Sequence, residues 1–209
     1  MAQLSQQGIA ALIVKADKNF KTVVTLAGPP PARRADPVKE RFAALVRSIT
    51  FQLLATNAAN TIHARVVQAC GGTVTPASVL GAGEESLRFA GLNRTKAQAM
   101  LDLAQHCLSG TVDLGRHGRM SNLDVTKDVV KVRGIGPWTS HMYLMHTLGR
   151  HDVWPVGDYG VRAGWTLLHN LDEMISEKDL VAEGDLFGGY QSDVAWYCWQ
   201  AVHFDRLSK

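Results

Sequence analysis

The chain has 209 residues, 46% of them hydrophobic, enough for one sizeable domain or two small lobes with a true core, which excludes wholesale disorder. No apolar run approaches the roughly 18–20 residues of a membrane span. The opening stretch MAQLSQQGIAALIVKADKNF lacks both a basic leader and a small-residue cleavage site, so an intracellular protein is expected. The net charge of +3 conceals an asymmetry: residues 1–170 carry 19 Lys/Arg against 11 Asp/Glu, while residues 171–209 carry 3 against 8. A basic body with an acidic end suits a polyanionic partner met through one face.

In chain order, alternating strand-like patterns are confined to GIAALIV and KTVVTLA, and the second also reads as a short helix near Asn19 to Leu26. GPPPARRADP, Gly28 to Pro37, favours an extended, polyproline-like path. VKERFAALVRSITFQLL then sets Phe42, Leu45, Val46, Ile49 and Leu53 on one helical stripe. TNAANTIHARVVQACGG places Ala58, Ile62, Val66 and Val67 on a face and stops at Gly71-Gly72. TPASVLGAG and GEESLRFAG read as two short helices, and NRTKAQAMLDLAQHCLSG as a longer one ending at Gly110. Arg116 and His117, in LGRHGRM, read as a solvated loop that could lie near a polyanion. The remaining helices are LDVTKDVVKV, PWTSHMYLMHTLG, DYGVRAGWTLLHN and SDVAWYCWQAVHF. With no βαβ repeat, the expected class is all-α, many short helices joined by tight loops.

Cysteine and histidine offer little chemistry. Cys70, Cys107 and Cys198 are dispersed and form no CxxC pair, so neither a zinc site nor an iron–sulfur cluster has a framework. His141 and His146 lie five apart, poor spacing for a shared helical metal site.

The stretch VRGIGPWTSHM reads as a hairpin between two helices. Gly134 suits the left-handed conformation that ends the first helix, Gly136 lets the turn close, and Pro137 suits the first position of the second. Backbone N–H groups at the new helix's start, with its dipole, suit a nucleic-acid phosphate, a contact blind to base sequence. Lys127, Lys131 and Arg133 add positive charge. A plain helical hairpin without a ligand fits the same residues. Twenty residues on, Asp158 precedes the apolar stripe of Val161, Trp165 and Leu168 and reads as its N-cap. A carboxylate there could serve as a cap alone. Beside a nucleoside it could also stabilise the oxocarbenium-like charge of glycosidic cleavage and orient or deprotonate the attacking water.

Val132 to Trp165 resembles the helix–hairpin–helix plus Gly/Pro-Asp segment of the HhH-GPD superfamily of base-excision DNA glycosylases, and is most similar to the 3-methyladenine DNA glycosylase II branch. DPVKERFAALVRSITFQLLATNAANTIHARVVQACGG resembles the family's wedge-bearing helix–loop–helix. LRFAGLNRTKAQAMLDLA resembles its GLSxxKA helix, and YQSDVAWYCWQA its closing helix. The family's usual QQLS is QLLA here, and Gln191 stands where arginine is common.

The resemblance implies a two-lobed helical fold with the active-site cleft between the lobes. It implies an N-terminal helix and Pro-rich segment, residues 1–38, packing on the C-terminal lobe, and a glycosylase core at 39–209 with hairpin 123–149 and catalytic loop 150–158. Asp158 falls at the catalytic position. Trp138 stands where bifunctional relatives carry a Schiff-base lysine; an indole cannot form that imine, so a monofunctional enzyme leaving an abasic site is implied. Trp138, Tyr190 and Trp196 would line a pocket for cationic alkylpurines such as 3-methyladenine and 7-methylguanine. Gln52 and Leu53 would form the wedge, and Gly134, Gly136, Thr139, Lys131 and Arg133 would meet DNA. Trp154, Trp165 and Trp199 are read as core. The carbonyls of Val130, Val132 and Ile135 would suit a structural Na+ or K+, with no other cofactor. The implied partner is double-stranded DNA containing damaged bases, met by a monomer in the nucleoid of a prokaryote or the nucleus of a eukaryote. Two alternatives stay open: a non-catalytic helix–hairpin–helix protein that binds DNA damage, and a glycosylase for a different lesion.

Overall fold

The computed structural model describes residues 5–208. They form helices and loops with no strand, and none of the helices is long and apolar enough to cross a membrane. The α-helices are α1 (Gln6–Ala16), α2 (Lys21–Ala27), α3 (Val38–Phe51), α4 (Thr56–Ala69), α5 (Pro76–Phe89), α6 (Arg94–Leu108), α7 (Asn122–Val129), α8 (Pro137–Met142), α9 (Tyr159–Leu168), α10 (Glu177–Glu183) and α11 (Gln191–Leu207). Both strand-like stretches are helical. GIAALIV lies in α1, where Ile9 and Ile13 are buried, and KTVVTLA is α2, with Val23 buried. Four-residue spacing on a helix serves burial there as well as alternation would on a sheet.

The chain divides into two compact units, Met1–Arg33 with Arg150–Lys209, and Arg34–Gly149. In the first, Phe20 meets Trp165 and Phe187 edge-on, each at 5.8 Å between centroids, and Trp165 stacks on His169 at 4.1 Å. Helices α9 and α11 cross closely because Gly164 has no side chain: a Cβ there would run into the Cys198 backbone. The Pro-rich segment is tied down at Gly28 and at Arg33. The Gly28 carbonyl accepts from the Tyr197 hydroxyl, and Arg33 donates to the buried Asp193 carboxylate at 2.8 Å and to the Ser192 carbonyl at 2.7 Å.

In the second unit the expected stripe of α3 is buried at Phe42, Leu45, Val46 and Ile49. It does not extend to Leu53, since α3 ends at Phe51. The buried face of α4 is Ala59 and Val66, continued by Cys70 at its C-cap; Ala58 is exposed, so that end of the face starts one residue later than the spacing predicts. Gly83, at φ 72 and ψ 170, splits α5 into the two short helices expected. His117 is not solvated. It is wholly buried, pairing with Asp128 at 2.9 Å and with the Tyr143 hydroxyl at 3.1 Å. Burial holds its imidazole below the usual histidine range, against the opposing pull of Asp128.

Candidate active site and nucleic-acid interface

The hairpin forms as its glycines require. Helix α7, capped by Ser121, ends at Val129; Gly134 takes φ +80, Gly136 is the N-cap of α8, and Pro137 opens that helix. Val125, Val129, Val132 and Ile135 are buried beneath the turn, while Lys131, Arg133 and Gly134 face outward. Lys131 is partly engaged with Asp128 at 2.7 Å, and the Arg133 amide donates to the Asp102 carboxylate at 2.7 Å. Burial pushes the Asp128 carboxyl up, but Lys131 and His117 together hold it below the usual aspartate range. Thr139 is buried, and its hydroxyl is turned inward to accept from Gln52. Trp138, on the outer turn of α8, is 40% exposed. The Val132 carbonyl accepts the Ile135 amide at 3.1 Å within the turn.

The loop after α3 presents Leu53. Its side chain is fully exposed, and its backbone sits at φ +55, a left-handed conformation that costs a β-carbon-bearing residue about 1–2 kcal/mol. Backbone outliers of this kind cluster at ligand clamps and active sites. Gln52 does not project with it. Its amide donates to the Gly134 carbonyl and the Thr139 hydroxyl, both at 3.0 Å, stitching the loop to the hairpin. Lys96, to which no local sequence signal gives a role, donates to the Thr50 and Gln52 carbonyls at 2.9 and 2.6 Å.

In the other unit Asp158 is the N-cap of α9 and is buried. Its Oδ1 accepts from the Val161 amide and from the Trp199 indole N–H, both at 2.8 Å. Two donors on one oxygen fix the plane of the carboxylate. Trp199 was read as core; its i, i+3 relation to Trp196 on α11 gave no sign that its N–H meets Asp158. A side chain at Gly160 would crowd that indole, its Cβ lying 2.8 Å from Trp199 Cδ1. Tyr190, the N-cap of α11, turns its hydroxyl to the Leu186 carbonyl at 3.3 Å and its ring edge-on to Phe187. Trp196 packs edge-on to Tyr197 and is half-buried. Trp154 and Trp165 meet edge-on at 5.9 Å, and the Trp154 indole donates to the Leu180 carbonyl, in keeping with a packing role. Among the described residues no cluster of three or more His, Cys, Asp or Glu side chains could hold a metal ion.

A helical chain with a glycine-turned hairpin, a strained apolar loop beside it and a capped, doubly held aspartate is built as a helix–hairpin–helix protein. The chain belongs to the HhH-GPD superfamily of base excision DNA repair proteins, whose pattern it matches over residues 46–186. DNA-3-methyladenine glycosylase 1 of Schizosaccharomyces pombe is 28% identical over 196 residues, 92% of this chain and 86% of that protein. The structure of an S. pombe 3-methyladenine DNA glycosylase in complex with abasic DNA superposes with a TM-score of 0.84 at 27% identity, covering 92% of this chain and 95% of that one. That of a DNA-3-methyladenine glycosidase from Bacillus halodurans gives 0.81 at 30% identity, covering 95% and 91%.

Proposed function

We propose that the protein is a monofunctional DNA glycosylase of the 3-methyladenine DNA glycosylase II class. It hydrolyses the N-glycosidic bond of alkylated purines and leaves an abasic site in duplex DNA. The observation that carries this reading is the Asp158 carboxylate, capped into the start of α9 and held by the Trp199 N–H. The names of its relatives, 3-methyladenine glycosylases, point the same way.

N-alkylation puts a positive charge on the purine and weakens its bond to the sugar, so the enzyme need supply little beyond charge stabilisation and a placed water. Asp158 does both: its negative charge offsets the oxocarbenium character of the sugar as the base departs, and it accepts the proton of the attacking water. The indole of Trp138 offers a face that attracts a cationic base and no amine to form an imine. Tyr190 and Trp196 are the further pocket candidates. Leu53 fills the space left by the extruded nucleotide. Gly134, Gly136 and the backbone start of α8, aided by Lys131 and Arg133, grip the phosphate backbone without reading sequence; Thr139 contributes through its backbone and through the hydroxyl that holds Gln52. Backbone carbonyls are hard donors of the kind a monovalent ion takes. Those of Val130, Val132 and Ile135 would hold Na+ or K+, and such an ion would supply positive charge at the hairpin; Val132's has one lone pair already engaged. The protein would act as a monomer wherever the cell keeps its DNA.

The test is base release from duplex DNA treated with a methylating agent. Asp158→Asn, which preserves the cap, is expected to lower the release of 3-methyladenine by about 10²–10⁴-fold while DNA binding persists. If the natural protein binds DNA yet releases no base across a broad lesion panel, the chain is a damage-binding protein instead.

A further inference from the structure

The loop carrying Leu53 and the hairpin are both fastened to one face of α6. Lys96, Ala99 and Asp102 follow one another at three-residue intervals, so they lie along the same side of that helix. Lys96 is 9% exposed, and its ammonium donates to the Thr50 and Gln52 carbonyls, the first in the last turn of α3 and the second at its C-cap. These belong to the acceptors that a helix end leaves without intrahelical partners, where a cation is favoured. Ala99 lies under the hairpin turn: a Cβ on Gly134 would come 2.9 Å from the Ala99 Cβ. Asp102 accepts from the Arg133 amide. Gln52 closes the frame from the other side, donating to the Gly134 carbonyl and the Thr139 hydroxyl.

A buried ammonium is costly unless its donors are used. A Met or Leu at this position would pack against the same neighbours without that cost, but it would leave the two carbonyls without their cation. We infer that Lys96 is a positioning residue: by drawing the Thr50 and Gln52 carbonyls onto α6 it turns the chain outward at Leu53, and so fixes the wedge relative to the phosphate-binding hairpin. Lys96 touches neither base nor sugar. Its role is to keep wedge and hairpin in register, so that entry of Leu53 into the duplex and capture of the flanking phosphate occur in one docking step. The inference rests on the base-flipping reading above.

The test uses the full chain with Lys96→Met, which keeps most of the side-chain volume and removes the donors. Two readouts separate loop from chemistry. The first is amide hydrogen exchange in the free protein. The Leu54 amide, which donates to the Phe51 carbonyl at 3.3 Å, is expected to exchange at least tenfold faster in the variant, while amides in the middle of α6 and α11 do not change. The second is fluorescence of 2-aminopurine placed beside an abasic-site analogue in duplex DNA, which reports unstacking by the wedge without any bond cleavage. The natural protein and its Asp158→Asn variant should raise the signal. Lys96→Met should raise it by less than half as much at equal DNA occupancy, because a loop that has lost its anchor populates the inserted conformation less. Unchanged exchange at Leu54 overturns the inference whatever the activity. Faster exchange with undiminished unstacking overturns the positioning role. If the natural protein itself does not unstack the probe, the base-flipping reading falls and takes the positioning role with it. Lys96→Arg, which restores charged donors, should recover part of both signals if the carbonyl contacts are what matter.

Discussion

At the scale of single residues, the molecule spends stability on shape at Leu53. A side chain that buries nothing is held on a backbone better suited to glycine. Leu53→Gly should therefore leave the thermal midpoint unchanged or raise it, because it relieves the left-handed strain, partly offset by the greater freedom of glycine in the unfolded chain. The same variant should lower base release from duplex DNA at least tenfold, since no plug remains to hold the helix open. A parallel loss of stability and activity would instead make Leu53 a structural residue. Asp158 is the opposite case, a residue that serves the fold and the proposed chemistry at once. Its capping bond to Val161 was legible from the residues around it, and its second bond, to Trp199, was not. That contact joins positions 41 residues apart, and no local pattern carries such a pairing.

At the scale of elements, close approach matters more than propensity. Helices α9 and α11 meet where Gly164 lies against the Cys198 backbone, and this crossing brings Trp199 to Asp158. Gly164→Ala should push the two helices apart and cost about 3 kcal/mol or more, the upper end of the usual range for overpacking a close contact. A urea titration with an unchanged slope would measure it. Loss of base release at temperatures where the variant remains folded would show that the crossing also sets the carboxylate. A variant as stable as the natural chain would mean that the crossing has slack. The hairpin depends on sequence in a simpler way. Gly134 needs its positive φ, Pro137 needs a helix start, and the structure provides both. The left-handed Leu53 had no such signal, because leucine there also extends the stripe of α3. Only the end of that helix at Phe51, with Lys96 gathering the Thr50 and Gln52 carbonyls, takes Leu53 out of the core and into solvent.

At the scale of the whole molecule, histidines wholly or partly withdrawn from water tie stability to pH. His63, His117 and His141 are each held below the usual histidine range, with burial the leading cause in all three. Around and below the unfolded value of about 6.5, the unfolded chain therefore binds more protons than the folded one. Stability is fully present above that pH and is lost as pH falls through the lower folded values. Asp128, also held low, acts in the same direction further into acid. The urea midpoint is expected to fall steadily from pH 7.5 to pH 5. His63→Phe should flatten part of that slope, since it keeps the edge-on contact with Phe51 and cannot be protonated. A midpoint that rises on acidification would contradict the assignment of these imidazoles as neutral. The charge asymmetry works on the same scale: the excess of Lys/Arg over residues 1–170 favours a polyanion whatever the fold, whereas the fold is what leaves Arg133 exposed on the hairpin.

The all-helical class, the hairpin, the cap at Asp158 and the family were legible in the residues themselves, because helical periodicity, glycine and proline stereochemistry and N-cap preference act over a few neighbours. The same local rules gave the two halves of α5 on either side of Gly83. They failed at GIAALIV, whose alternation is equally a helical stripe, and at His117, whose partners Asp128 and Tyr143 lie 11 and 26 residues away. Tertiary structure alone decided that Trp199 holds Asp158, that Gln52 turns inward while Leu53 turns out, and that a buried Lys96 anchors the loop between them. Each is a contact between distant segments, set by how close two backbones approach and by which buried polar groups must find partners.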